Sequence, residues 1–449
     1  MTYGRIPILS LSKGIPPAWK RRHECRTTNA MNITILTYGS RGDVQPFLPL
    51  SLGLMARGHS VKLAAPHRFK DLVEGHGIRF APLAGDPEEL SRKLNDAGHN
   101  FIRMMGEIMS HAFKIAGNVS RQVEEHCDDA DLIVHTFLHA AGGHSLARKK
   151  NIPDIHIQIF PMFAPTRDYP SITMSNLGFR ALNRLTHVIA GKVTWLTSRW
   201  GFEYVRRRSG LPAQKLYWPF DDDPLRPPTP ILCAWSPSVL PPSSDWSSNI
   251  HVTGYFFFDG NASYQPPAEL QTFLDAGNPP VCVSFGSMVN RGAEKIDLIV
   301  REALTQTGQR GIILSGWGKL KRSPAKDLLY LDTVPHDWLL PRCKMIVHHG
   351  GAGTTSAGLR AGIPNIVIPF TADQPFWGRR VHAIGAGPMS VLVKDLSVRE
   401  LTRAIVEAEK DGLRKRAQAV GRRMGGEDGV GRAVELMESH ATGWGNFKV

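Results

Sequence analysis

The sequence predicts an α/β chain made of two doubly wound parallel-sheet domains. Three observations carry this. Short apolar runs alternate with stretches of helical period, the pattern of βαβ units. One kind of opening occurs twice, a strand-like run ending in aromatic-Gly-Ser, at Tyr38-Gly39-Ser40 and again at Phe285-Gly286-Ser287. The 449 residues, 42% hydrophobic and 21% charged, hold enough apolar material for two cores.

The elements follow in order. Residues 1–30 contain Pro-Pro and Lys-Arg-Arg without periodicity, and read as a disordered extension. Their apolar stretch IPILSL is too short for the core of a signal peptide. The first domain spans 31–240. It opens with the strand NITILTYGS, the helix-forming RGDVQPFLPLSLGLMARG and the strand HSVKLAAP, and continues through the strands DLIVHTF (131–137) and PDIHIQIF (153–160). Residues 241–265, beginning with PPSSDWSS, read as the interdomain linker. The second domain spans 266–449. Its strands are PVCVSFGS, RGIILSG, LLYLDTV, KMIVHHG and NIVIPF, with the amphipathic stretch IDLIVREALTQTG between the first two. After Leu396 the chain reads as helical and charged to about Ser439.

No apolar run reaches the roughly 18 residues that span a bilayer. Five scattered cysteines without a C-x-x-C pair exclude a disulfide framework and a zinc ribbon, and suit a reducing, cytoplasmic setting. The formal charge is +14, with basic clusters at 206–208, 319–322 and 414–416. Solvated helix faces are one reading of these clusters. Peripheral contact with the anionic inner face of a membrane is the other. No nucleic-acid-binding signature accompanies the charge.

The most informative stretch is HHGGAGTT, residues 348–355. A glycine turn that opens a helix presents backbone N–H groups and the positive end of the helix dipole, which suits phosphate. Tight packing of strand on helix is the alternative use of such glycines. A Walker loop is excluded, because Gly316-Trp317-Gly318-Lys319-Leu320 has neither the spacing nor the hydroxyl. A dinucleotide fingerprint is nearer, with Asp373 standing 20 residues beyond Gly353. That fingerprint opens its domain, however, and this turn falls after at least three strands. A nucleotide-sugar diphosphate is the third reading. Asp43, at the first glycine turn, reads as a helix cap, as a base, or as both.

Taken together, GSRGDVQPFLPL, WSPSVLPPSSDWSSNIHVTGYFF, VSFGSM, VPHDWLLPRCKMIVHHGGAGTTSAGLRAGIP and PFTADQPFWGRRV resemble the family 1 glycosyltransferases of the GT-B fold. The resemblance is strongest to the sterol 3-beta-glucosyltransferase branch and its bacterial relatives acting on glycopeptide antibiotics and lipids, and it covers residues 31–440. It implies two Rossmann-like domains facing each other across a cleft. The first would bind the acceptor and the second the nucleotide sugar, with the C-terminal helix packing back on the first domain. His349, Gly351, Gly353 and Thr354 match the element that holds the donor diphosphate, and Ser287 matches a second diphosphate contact. The backbone of Val334 falls at the uracil contact, Asp373 and Gln374 match the pair that reads the sugar hydroxyls, and Arg41 and Gly42 lie beside the diphosphate. Asp43 takes the place of the base.

There are departures. Thr136 stands where histidine-based relatives carry an orienting aspartate, and Ala357 stands where plant members carry a ribose-binding glutamate. Thr333-Val334-Pro335-His336 replaces the plant Trp-Ala-Pro-Gln. The last two leave UDP and TDP donors both open. What the resemblance implies is an inverting, cofactor-free and metal-independent hexosyltransferase. It would take a UDP-sugar and a lipophilic hydroxyl acceptor, sterol-like or polycyclic. The alternatives are a TDP-sugar-dependent enzyme of antibiotics, polyketides or lipids, and, in a different class, an NAD-dependent oxidoreductase. The Met-rich stretch 101–119 and Phe160, Phe163, Tyr169, Phe179, Trp195 and Trp200 read either as core or as an apolar acceptor surface. His135, His139 and His144 read as loop or packing residues, and Trp338 as a packing anchor.

Overall fold

A computed structural model describes residues 30–445 except 91–92, 94–100, 173, 175–178, 209, 214–219, 221–225, 259–263, 287–292 and 316–325. The predicted extension, Ser287 and the basic cluster at 319–322 therefore lie outside the described residues. So do the side chains of Met104, Met105 and Met109. The chain forms two compact units. Met1–Pro237, Pro241–Phe258 and Asp428–Val449 make one, and Ser238–Leu240 with Asp259–Glu427 make the other.

The first unit is built on a seven-stranded parallel sheet in the order β3-β2-β1-β4-β5-β6-β7. The strands are β1 (Asn32–Leu36), β2 (Ser60–Pro66), β3 (Arg79–Leu83), β4 (Leu132–His135), β5 (Asp154–Gln158), β6 (Ile231–Cys233) and β7 (Ile250–Val252). The central strands are apolar nearly throughout because helices cover both faces, which leaves no polar side to alternate with. Its helices are α1 (Arg41–Val44), α2 (Phe47–Ala56), α3 (Lys70–Glu74), α4 (Phe101–His126), α5 (Ala140–Lys150) and α6 (Arg180–Arg208). Strand β7 falls inside the stretch read as linker. It pairs Ile250 with Ile231 and Val252 with Cys233 at the sheet edge.

The second unit carries a five-stranded parallel sheet in the order β10-β9-β8-β11-β12. Its strands are β8 (Val281–Ser284), β9 (Gly311–Leu314), β10 (Leu328–Leu331), β11 (Met345–His348) and β12 (Asn365–Val367). Its helices are α7 (Ala268–Asp275), α8 (Ala293–Gln306), α9 (His336–Leu339), α10 (Ala352–Arg360), α11 (Gln374–Ala383), α12 (Val398–Ala408) and α13 (Asp411–Gly425). The last helix, α14 (Gly429–Gly445), packs on α2 of the first unit. Val430, Ala433, Val434 and Met437 join the core of Ile33, Ile35, Leu50 and Leu63. Glu438 clamps that helix in place, accepting from Arg57 at 2.6 Å and bonding His59 Nε2 at 3.0 Å.

Strand order reverses beside β1 in the first sheet and beside β8 in the second, since each is flanked by an earlier and a later crossover. Crevices at the carboxyl ends of strands open at such reversals. Both aromatic-Gly-Ser turns leave from these two strands. No helix among the described residues is long and apolar enough to cross a membrane.

Candidate functional site

In the first unit the chain leaves β1 through Thr37, Tyr38 and Gly39 into α1. The cap of α1 is Ser40, not Asp43. Asp43 sits one turn in and folds back to close a capping box. Its Oδ2 accepts from the Ser40 amide at 2.6 Å and from the Ser40 hydroxyl at 2.9 Å. Thr37 Oγ1 donates to the Asp43 carbonyl at 2.7 Å and fixes the same turn from the strand side. Gly39 is required beneath this carboxylate. Its φ is +140°, and a Cβ there would stand 2.3 Å from Asp43 Oδ2. Both Ser40 bonds fall on Oδ2, so Oδ1 accepts nothing from the described residues. Burial pushes the Asp43 carboxyl up from 3.8 to about 6, against the two Ser40 hydrogen bonds that pull it down. Arg41 and Gly42 are exposed alongside, and Arg41 Nε donates to Gln45 Oε1 at 3.0 Å.

In the second unit β8 and β11 are neighbours, with Ser284 opposite His348. This register sets the turn after β8 against the glycine turn after β11. A Cβ on Gly286 would lie 3.5 Å from His349 Cε1. Gly350 has φ +89°, and a Cβ there would meet Val367 Cγ1 at 2.7 Å and the Gln374 carbonyl at 3.1 Å. The turn is therefore packed tightly as well as left-handed. Gly351 is the cap of α10, and the first helical amide to bond back is that of Thr355, to the Gly351 carbonyl at 2.9 Å. The amides of Ala352, Gly353 and Thr354 bond no backbone carbonyl among the described residues. They form the positive end of α10. Burial pulls the His349 imidazole down to about 4, partly offset by the Ser284 backbone, so the ring is neutral at neutral pH. A neutral imidazole keeps one N–H to donate.

Asp373 and Gln374 begin α11 beside this turn. Gln374 Oε1 accepts from the amides of Phe370 at 2.7 Å and Thr371 at 3.1 Å, and Asp373 Oδ2 accepts from the Trp377 indole at 2.8 Å. Just before them in the chain, Ala372 holds φ +56°, a left-handed conformation costly for a residue with a Cβ. Such strain persists where surrounding bonds over-determine the loop, and Gln374 supplies two of them. Val334 is buried at the end of β10 among Leu339, Leu340 and Ile346. Trp338 packs beside Tyr264 with Arg342 over its ring. The second sheet thus gathers His349, Gly351, Gly353, Thr354, Asp373, Gln374 and Val334 at the carboxyl ends of its strands, while Arg41, Gly42 and Asp43 gather at the switch point of the first.

Sequence reasoning missed one constellation. His135 ends β4, His139 lies in the turn after it and His144 in α5, and all three are buried, in line with the packing reading; what the sequence did not show is their partners. His135 Nε2 and His144 Nδ1 lie 2.8 and 2.9 Å from Asp154 Oδ2, and Thr229 Oγ1 donates to the same carboxylate at 3.2 Å. His156 Nδ1 meets His135 Nδ1 at 3.3 Å. These lengths are those of hydrogen bonds that satisfy a buried carboxylate. The same three groups, His135, His144 and Asp154, also have the chemistry of metal ligands. The signal available beforehand was Asp154 opening a strand in which it alternates with the apolar Ile155 and Ile157, since an acid there must have buried partners.

Two family models match the chain: "Glycosyltransferase family 28 N-terminal domain" over residues 33–143, and "Erythromycin biosynthesis protein CIII-like, C-terminal domain" over residues 320–427. The Arabidopsis thaliana protein named Sterol 3-beta-glucosyltransferase UGT80A2 is 36% identical over 422 residues, which cover 91% of this chain and 66% of that one. Sterol 3-beta-glucosyltransferase UGT80B1 of the same plant is 32% identical, covering 92% and 69%. The chain therefore spans about two thirds of the length of these relatives. Among solved structures, the glycotransferase of kitacinnamycin superposes with a TM-score of 0.68 at 19% identity, over 92% of this chain and 100% of that one. At that identity the likeness speaks for the fold, two Rossmann-like parallel-sheet domains of the GT-B kind.

Proposed function

We propose, for a chain that belongs to the sterol 3-beta-glucosyltransferase family of glycosyltransferases, that it moves a hexose, glucose, from a UDP-sugar to the hydroxyl of a lipophilic acceptor. The acceptor is a sterol-like or polycyclic alcohol, and the product is a β-glycoside. The observation that carries this reading is the Asp43 carboxylate, pinned through Oδ2 by Ser40 and raised to about 6. A base with a pKa close to working pH is both ionised and able to hold a proton, which is the condition for general-base catalysis.

Asp43 Oδ1 takes the acceptor proton as the acceptor oxygen forms its bond to the anomeric carbon. The bond from that carbon to the diphosphate oxygen breaks in the same displacement, which inverts the anomeric centre. The departing diphosphate gains charge. The first-turn amides of α10 and the His349 N–H point such donors at it, and one donor of this kind is worth about 10²–10³ in rate. Ser287, outside the described residues, keeps the second diphosphate role that the family resemblance gives it. Asp373 and Gln374 read the sugar hydroxyls, and the Val334 backbone meets the edge of the nucleotide base. Arg41 and Gly42, next to Asp43 in the chain, are assigned to the donor diphosphate by the family resemblance. None of these roles calls for a metal or a bound cofactor.

The experiment is mass spectrometry of products from a panel of sterols and polycyclic alcohols, incubated with UDP-glucose and TDP-glucose in parallel. A hexosylated sterol formed from UDP-glucose, with a β-linkage by NMR, is the expected product. Turnover from TDP-glucose alone overturns the donor assignment, and an α-linkage overturns the single displacement.

A further inference from the structure

Helix α6 packs on α4 and α5 and turns a different side to solvent. On that side Leu182, Leu185, Ile189, Leu196, Trp200 and Tyr204 are all exposed. At about 100° per residue these six fall within one arc of roughly 100°. The exposure is large for apolar groups, 77% at Leu196 and 75% at Trp200, and Phe179 just before the helix is 69% exposed. A row of this kind, broken only where Thr186 and Glu203 turn inward, marks an interaction surface, unlike scattered single residues.

The charges around the row have one sign. Lys192, Arg199, Arg207 and Arg208 are exposed on or beside it, while the one acid of α6, Glu203, is buried. At the N-terminal end of the helix lies a cavity of about 650 Å³ lined by Arg167, Arg180, Arg184, Asp168, Ser244 and Asp245. Its two acids are already engaged. Asp168 pairs with Arg180, and Asp245 accepts from Thr166 Oγ1 at 2.7 Å and the Arg167 amide at 2.9 Å. Three arginines against two aspartates leave this cavity one net positive charge, on the side of α6 away from the row.

We propose that this face of α6 docks on the surface of an anionic phospholipid bilayer. The apolar row sits at the boundary of the acyl chains, and the flanking cations Lys192, Arg199, Arg207 and Arg208 reach back to headgroup phosphates. A second copy of the chain fits this face poorly, because apposed rows would bring like charges together. The inference does not depend on the proposed reaction.

The test is sedimentation of the full chain with vesicles of phosphatidylcholine alone and of phosphatidylcholine with phosphatidylserine. Binding is expected with the anionic vesicles only, and is expected to weaken as salt rises. L196S/W200S and K192Q/R199Q are each expected to bind roughly 10-fold less tightly, with melting temperature and UDP affinity unchanged. Equal binding by wild type and both variants overturns the assignment, as does wild type that stays in the supernatant. A concentration-dependent dimer that both variants dissociate, without a difference on vesicles, overturns it in favour of contact between copies. Loss of transferase activity without loss of vesicle binding strikes only the proposed reaction.

Discussion

Replacing Asp43 by asparagine separates a catalytic base from a structural cap, because the two roles predict opposite signs for stability. In the folded chain the carboxyl titrates at about 6, against an ordinary 3.8. The folded state then binds more protons than the unfolded state between those values. The stability this group contributes is present below 3.8 and is lost as pH rises through about 6. At roughly 1.4 kcal/mol per pH unit the separation amounts to ~3 kcal/mol, and partial exposure to solvent reduces it to ~1–2 kcal/mol. Asparagine keeps an oxygen for the Ser40 amide and carries no charge to desolvate. Asp43→Asn is therefore expected to melt several degrees higher than wild type at pH 8 and about equally at pH 4, where the wild-type carboxyl is protonated. Its turnover is expected to fall by about 10²–10⁴. Wild-type kcat/KM is expected to drop about tenfold per pH unit below 6 as Oδ1 acquires a proton. The assay is initial-rate transfer from UDP-glucose across pH 5–8, with thermal melts on the same samples. A variant that retains turnover within tenfold of wild type refutes the assignment of the base. A variant that melts lower at pH 8 shows that the carboxylate is there to cap α1.

Three further outcomes follow from the geometry. His349→Ala is expected to lower kcat by about 10²–10³ with little change in melting temperature, measured by single-turnover transfer. Gly39→Ala puts a methyl 2.3 Å from the Asp43 carboxylate at φ +140°. It is expected to cost ~1–3 kcal/mol and most of the activity, read by urea unfolding and initial rates. Asp154→Leu leaves His135, His144 and Thr229 without the acceptor they share. A loss of ~3–5 kcal/mol is expected, and an unchanged melting temperature would show that the network is dispensable.

Much of the fold is readable from one dimension, because a parallel strand buried on both faces must be apolar along its whole length. Runs such as NITIL, LIVH and MIVH announce themselves without any knowledge of their neighbours. The glycine turn after β11 and the aspartate after β1 were legible for a related reason. Their chemistry is local: a capping box spans the four residues from Ser40 to Asp43, and a helix N-terminus needs one turn. Strand β7 was hidden because three residues after a proline- and serine-rich stretch carry too little pattern until β6 offers them an edge.

What surrounds a side chain is another matter. The bonds of Asp154 come from the end of β4, from α5 and from the segment before β6, and no spacing along the chain brings His135, His144 and Thr229 to one carboxylate. The neighbouring of β8 with β11, which sets Gly286 against His349, is likewise a property of strand order. The apolar row of α6 has the same period whether a sheet covers it or water does. Periodicity records which residues share a face, and only the packing of distant segments settles what that face meets.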